Sequence, residues 1–310
     1  MLERFFERDT FSESTKGIIA ILVGSLFIAI GPFVVEFSSV SAETNTFYRL
    51  LLGTVFFGLW ILRKGQMIIT AQRVMLGLVC GGLLVLDLFL WNQSIQLLGA
   101  GISTLLANVE VLFLVLLGSL FFHEKFPENF RLLSLCIIGG IVALLLPIFP
   151  TLTADSSLGV ITALSASFSY ALYLFCMKFQ TRIAGGQKPE EILSLVSFFG
   201  AFLLGVGMCF QGGKGFVLPN LHVALLVFLN GLCSQVVAWW LIAFGLARLS
   251  LTMSGILLLV QPALTYFLDC AFLGRNTQFL QLFGASLLLG AVFFTTQANQ
   301  MDRNDNKSIN

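Results

Sequence analysis

Asp87 and Glu110 are acids set inside long apolar runs, VCGGLLVLDLFLW and VEVLFLVLLG. If those runs cross a bilayer, an acidic side chain at mid-depth costs roughly 2.5–3.5 kcal/mol on insertion scales, so it belongs on an inward face or in a wet cavity. There it can meet a positive substrate group, load and unload a proton, or pack as a protonated carboxyl hydrogen-bonded to a neighbouring helix. Along the helix axis Asp87 lies roughly 18 Å, and Glu110 roughly 14 Å, from the Gly99-Ala100-Gly101 turn between them. The two acids therefore share a depth on adjacent antiparallel segments. Other polar residues fall at helical spacing. Ser103, Ala107 and Glu110 form one stripe, and Ser254, Leu258, Gln261 and Thr265 form another. Asn92 pairs with Gln96 on one face, Gln235 with Trp239, and Ser165 and Ser169 with Tyr173. The aromatics could stack on a flat or cationic substrate. The same small residues also allow close helix contact, so packing is the competing explanation for each serine or threonine. The expected substrate-binding set is Glu110, Asp87, Asn92, Gln96, Ser103, Tyr173, Gln235, Trp239, Ser254 and Gln261.

Three further residues are expected to gate or brace the bundle. Pro262 in mid-segment frees a backbone carbonyl and permits a bend, which serves either a hinge or static packing. Arg49 either snorkels to the headgroups or pairs with Glu36 or Asp269. Glu124 beside Lys125 fits a helix-end ion pair. Chemistry of other kinds is missing from the pattern. The sequence has no glycine-rich phosphate loop and no nucleophile elbow, and His123-Glu124 lacks the second histidine of a zinc-protease motif. The six cysteines (80, 136, 176, 209, 233 and 270) lack metal-ligand spacing and are expected to be apolar packing residues. No cofactor and no enzymatic role are expected.

The elements that must position these residues are membrane spans. The chain is 57% hydrophobic and 11% charged, with 32 Phe and mean hydropathy +0.93. A crossing helix needs about 20 apolar residues, and such segments occur at 17–35, 44–62, 74–98, 101–122, 132–149, 157–177, 191–210, 221–246, 252–272 and 278–297. Taking alternate connections, fourteen Lys and Arg fall on the N-terminal side (4, 8, 16, 63, 64, 73, 125, 131, 178, 182, 188, 248, 303, 307) and two, Lys214 and Arg275, on the other. The positive-inside rule then places both termini in the cytoplasm, in a cell or inner membrane. A cleaved signal peptide is not expected: Glu3, Glu7 and Asp9 precede the first run, and the run is too long for the hydrophobic core of a signal. Leu2, Phe5 and Phe6 suggest a short interfacial helix before Lys16, and the tail from 299 to 310 is expected to be disordered. A net charge of +1 suggests no nucleic-acid partner.

The second half repeats the first. Residues 17–149 align with 157–298, with Ser103 on Ser254, Glu110 on Gln261 and Gly139 on Gly290, all at an offset of 151. Five spans per copy is an odd number, so the second copy enters from the opposite side. That is the inverted repeat from which many secondary transporters build alternating access. Three stretches then resemble a known family: Tyr48-Arg49-Leu50-Leu51-Leu52, LGSLFFHEKF from Leu117 to Phe126, and Gln261-Pro262-Ala263 followed by Phe272-Leu273-Gly274-Arg275. They resemble the drug/metabolite transporter superfamily, EamA type, over nearly the whole chain. Val111 stands where the second copy has Pro262, and Arg275 where the first has Glu124. The resemblance implies an all-α integral membrane protein of ten transmembrane helices in two inverted five-helix repeats. It also implies that the fifth and tenth spans are peripheral, and the third, fourth, eighth and ninth spans are expected around a cavity. The expected function is secondary transport of a small organic metabolite, zwitterionic or cationic, such as an amino acid or an S-adenosylmethionine-like compound. Protons are the expected coupling ion, lipids surround the protein, and a monomer or homodimer is expected. A channel, or a membrane-embedded enzyme or sensor, is the alternative.

Overall fold

The computed structural model describes residues 11–29, 38, 40–64, 69–98, 103, 106–124, 135–136, 138–139, 142, 146, 156–182, 186–273, 283–284, 286–287 and 290. The expected spans 132–149 and 278–297, the Gly99–Gly101 turn, Lys125, Arg275 and the tail lie largely or wholly outside them. The helices are α1 (Glu13–Ala29), α2 (Ala42–Lys64), α3 (Ala71–Leu98), α4 (Glu110–Phe122), α5 (Ser156–Arg182), α6 (Pro189–Phe210), α7 (Leu221–Arg248), α8 (Leu251–Leu258) and α9 (Val260–Leu273). Among the described residues α2, α3, α5, α6 and α7 are long and apolar enough to cross a membrane. The protein is therefore all-helical in its described part and multi-pass.

The chain divides into two compact units, each drawing on both halves of the sequence. The first comprises residues 1–89 and 172–249, the second 90–171 and 250–310. In the first, α2 packs against α6 and α7, and α1 against α7. On α2, Leu51, Val55, Leu59 and Leu62 are exposed, while Thr44, Asn45, Leu50, Gly53 and Phe57 are buried. Its outer face is apolar because lipid is its solvent, and its inner face is small and polar because interhelical contact there comes from close approach and hydrogen bonds. The same device seats α3 on α6: a Cβ at Gly81 would lie 2.8 Å from the Gly200 backbone nitrogen. In the second unit α4 packs against α8, with Gly255 under Leu114.

Local signals set the helix ends. Pro189 opens α6 with two acids behind it, where a missing N–H costs nothing and negative charge meets the positive end of the dipole. Glu191 Oε2 accepts from the Lys188 N–H and from Arg73, each at 3.3 Å. The Asn220 side chain accepts from the Val223 N–H at 2.9 Å and starts α7. At the start of α1, Glu13 accepts from Lys16 and Arg248, and these two cations hold its carboxyl below the usual range.

The fourth and ninth spans are not single helices. Before α4, Asn108 and Val109 form a turn, with the Val109 N–H on the Leu106 carbonyl at 3.1 Å. Before α9, Leu259 does the same, its N–H on the Ile256 carbonyl at 3.2 Å. At an offset of 151 these are the same place in the two copies. Pro262 explains a break in the ninth span, since it denies the Leu258 carbonyl a partner. The copy with Val111 breaks as well, so proline is not the sole cause.

Candidate functional site

The expected site residues fall in both units. In the first, Tyr173 on α5 is fully buried and stands edge-on to Trp239 on α7, with ring centroids 5.2 Å apart at 74°. Arg49, Cys80 and Asp87 all lie within electrostatic reach of the Tyr173 hydroxyl. Asp87 itself is half-buried on α3. Of the partners expected for Arg49, Glu36 and the side chain of Asp269 lie outside the described part of the molecule. Gln235 is buried and donates from Nε2 to Ser197 Oγ on α6 at 3.2 Å. Gly53 of α2 makes room for that pair: a Cβ there would stand 2.7 Å from Ser197 Oγ and 2.9 Å from Gln235 Cγ. Gln235 and Trp239, expected on one face, thus touch different helices. Close by in sequence, Asn230 Nδ2 donates to Asn45 Oδ1 at 3.0 Å, and both amides are buried. Sequence reasoning missed Ser197, Asn45 and Asn230. A polar residue in a crossing segment was the available signal.

In the second unit, Ser94 Oγ donates to Ser103 Oγ at 2.6 Å, and both are fully buried. Ser254 turns its hydroxyl onto the Ser250 carbonyl at 2.8 Å. The two repeat-related serines therefore differ: Ser103 accepts from Ser94, and Ser254 donates to a backbone carbonyl. Glu110 is the first residue of α4, half-buried, immediately after the break, and Gln261 and Pro262 sit half-buried just after the break of the other copy. Asn92 is half-buried, whereas Gln96 is exposed, away from the face expected for it.

Glu124 has a role more definite than a helix-end ion pair. Its carboxylate accepts from the Leu251 N–H at 2.6 Å and the Thr252 N–H at 2.9 Å. Ser250 Oγ accepts from the Met253 N–H at 3.1 Å. The first three orphan donors of α8 are thereby satisfied, two of them by an anion at the positive end of the dipole. The sequence around it is shaped for this. His123 takes the left-handed conformation, φ 53° and ψ 35°, and the Glu124 N–H closes on the Gly118 carbonyl at 3.1 Å. That turn swings Glu124 back over Gly118, where a Cβ would stand 2.5 Å from its Oε2. An opposite cap sits in the first unit. Buried Lys178 of α5 donates to the Leu246 and Leu249 carbonyls at the end of α7.

Comparison with known proteins shows what the chain as a whole is similar to. The EamA-like transporter family matches the chain twice, over residues 15–146 and 157–297. Two proteins of Bacillus subtilis (strain 168) are similar along it. "Uncharacterized transporter YxxF" is 23% identical over 304 residues, 93% of this chain and 91% of that one. "Uncharacterized transporter YdfC" is 24% identical over 217 residues, 69% of this chain and 68% of that one. A protein of known crystal structure shares the fold with a TM-score of 0.71 at 16% identity, over 90% of this chain and 95% of that one.

Proposed function

The chain belongs to the EamA-like transporter family, and we propose that it is a secondary transporter moving a small organic metabolite by alternating access. The observation that carries this reading is the matched pair of breaks in one unit, at Asn108–Val109 and at Leu259, the first followed directly by Glu110 and the second, after Val260, by Gln261. Broken helices in repeat-related positions are where secondary transporters gather their ligands. Repeat-related spans also lie side by side: α2 packs on α6, and α4 of the fourth span packs on α8, the first half of the ninth. Ten spans in two inverted repeats, with both termini cytoplasmic in an inner membrane, complete the arrangement.

The substrate class follows from the groups at depth. In the first unit Asp87 suits a positive group, Gln235 a polar end, and Trp239 and Tyr173 a flat or cationic body; the second unit supplies its own carboxyl and amide, Glu110 and Gln261. A zwitterionic or cationic metabolite, an amino acid or an S-adenosylmethionine-like compound, fits the groups of the first unit, with proton exchange on a carboxyl as the coupling step. The test is uptake and counterflow in proteoliposomes, screened with amino acids, nucleotides and their conjugates. Saturable uptake with accelerated exchange from loaded vesicles is expected. Linear flux without counterflow would make the protein a channel.

A further inference from the structure

α7 leaves α geometry at its middle. From Gly231 to Ala238 the backbone is π-helical, and at its end the Trp239 N–H reaches back five residues to the Ser234 carbonyl. Just before it the Gly231 N–H still bonds the Val227 and Phe228 carbonyls. A π turn accommodates an extra residue in an α-helix at some cost in hydrogen-bond geometry, and such turns concentrate at functional sites. This one is held from several sides. Ser234 Oγ donates to the Asn230 carbonyl at 2.6 Å, and Asn230 in turn is tied to Asn45 of α2. Gln235, inside the stretch, is tied to Ser197 of α6. Glycines let the neighbours close on it. A Cβ at Gly24 of α1 would stand 2.9 Å from the Ala238 carbonyl oxygen, and one at Gly231 would stand 2.9 Å from Leu52 of α2. Ser234 is fully buried, as a side chain that holds backbone would be.

We propose that this π stretch is the positioning element of the substrate path, and that Ser234 is its positioning residue. By taking the Asn230 carbonyl, the Ser234 hydroxyl keeps the extra residue between Gly231 and Ala238. The amide of Gln235 then faces α6 while the ring of Trp239, one turn on, faces Tyr173. Those two side chains hold opposite ends of one small molecule: a polar end on the Gln235 amide and a flat or cationic body against Trp239. This rests on the transporter reading and goes beyond it by naming what sets the distance between the two contacts.

The full-length protein is reconstituted and assayed with radiolabelled amino acids. Ser234→Ala is expected to raise KM about tenfold with little change in maximal rate. Ser234→Thr, which keeps the hydroxyl, is expected to restore the wild-type KM. Deleting Cys233 returns the stretch to α register and is expected to abolish uptake in a protein that still inserts. A second readout needs no substrate. In a background without native cysteines, Gln235→Cys is treated with a small cationic methanethiosulfonate, and adding Ser234→Ala is expected to change its labelling rate about fivefold or more. Unchanged KM in Ser234→Ala, or an unchanged labelling rate, overturns the proposal. If the wild type takes up no amino acid, the amino-acid reading of the substrate loses its support separately, and the labelling rate still decides the role of Ser234.

Discussion

At the scale of single residues, Glu110 and Glu124 show how differently two acids on one span are used. Glu110 follows the break at Asn108–Val109, half-buried, while its repeat mate Gln261 keeps hydrogen bonding without charge. Glu110→Gln retains size and hydrogen bonds but cannot carry a proton. It is expected to insert normally and to lose concentrative uptake while counterflow survives. Wild-type uptake with a wild-type pH profile would reduce Glu110 to packing. Glu124, by contrast, is a cap. Glu124→Gln keeps one acceptor and loses the charge, so it should cost about 1 kcal/mol, and Glu124→Ala about 2 kcal/mol. Thermal melts in detergent check both, and equal melting temperatures in all three proteins would remove the capping role. The sequence marked both acids as out of place, because any acid in an apolar run is. It could not supply Glu124's partners, because Leu251 and Thr252 lie more than a hundred residues away. Lys178 was likewise counted as a loop charge, yet it is buried and caps α7.

At the scale of elements, hydropathy located the helices well and their interruptions poorly. The expected spans 44–62, 74–98, 191–210 and 221–246 correspond to α2, α3, α6 and α7 within a few residues. Length and apolarity determine what crosses a bilayer, and both are sequence properties. The break in the fourth span had no marker, since Val111 is not proline. The stripe Ser103–Ala107–Glu110 assumed α spacing throughout, and the turn at Asn108–Val109 interrupts it. The π stretch in α7 was equally invisible, because its residues are ordinary ones and several groups that meet it, Asn45, Ser197 and Gly24, lie on other helices. The C-terminal turn of α4 offers a test of such geometry. Gly118→Ala would place a Cβ 2.5 Å from Glu124 Oε2, so it should destabilise by at least as much as Glu124→Gln. The double variant should be less than additive, because both changes remove one contact. His123→Gly relieves a left-handed residue and should be neutral or stabilising by up to about 1 kcal/mol. Full additivity in the Gly118–Glu124 cycle would separate the glycine from the cap.

At the scale of the whole molecule, the sequence carried the repeat but not the packing. The two copies are consecutive blocks in the sequence reading, 17–149 and 157–298, and each compact unit of the fold takes segments from both. Hydrophobic periodicity reports which residues meet lipid and says nothing of which helix covers the rest. Charge, however, acts on the molecule as a whole and is legible in sequence. Positive residues near span ends resist translocation, so a fourteen-to-two division of loop and tail Lys and Arg predicts an orientation. Lys178, though buried, leaves that division intact, since it lies one turn from the Arg182 end of α5. Glu13, Lys16 and Arg248 gather one cluster of the majority side at the start of α1 and the end of α7. If that side is cytoplasmic, the starts of α5 and α7 face outward. Single cysteines at Ser157 and Asn220, in a background without the native six, should then react with an impermeant maleimide on intact cells, and one at Asn306 should react only after permeabilisation. Moving any span in or out of the count reverses the label at every later position. External labelling at Asn306 together with Ser157 would therefore place the two on one side, and the five spans expected between them could not hold.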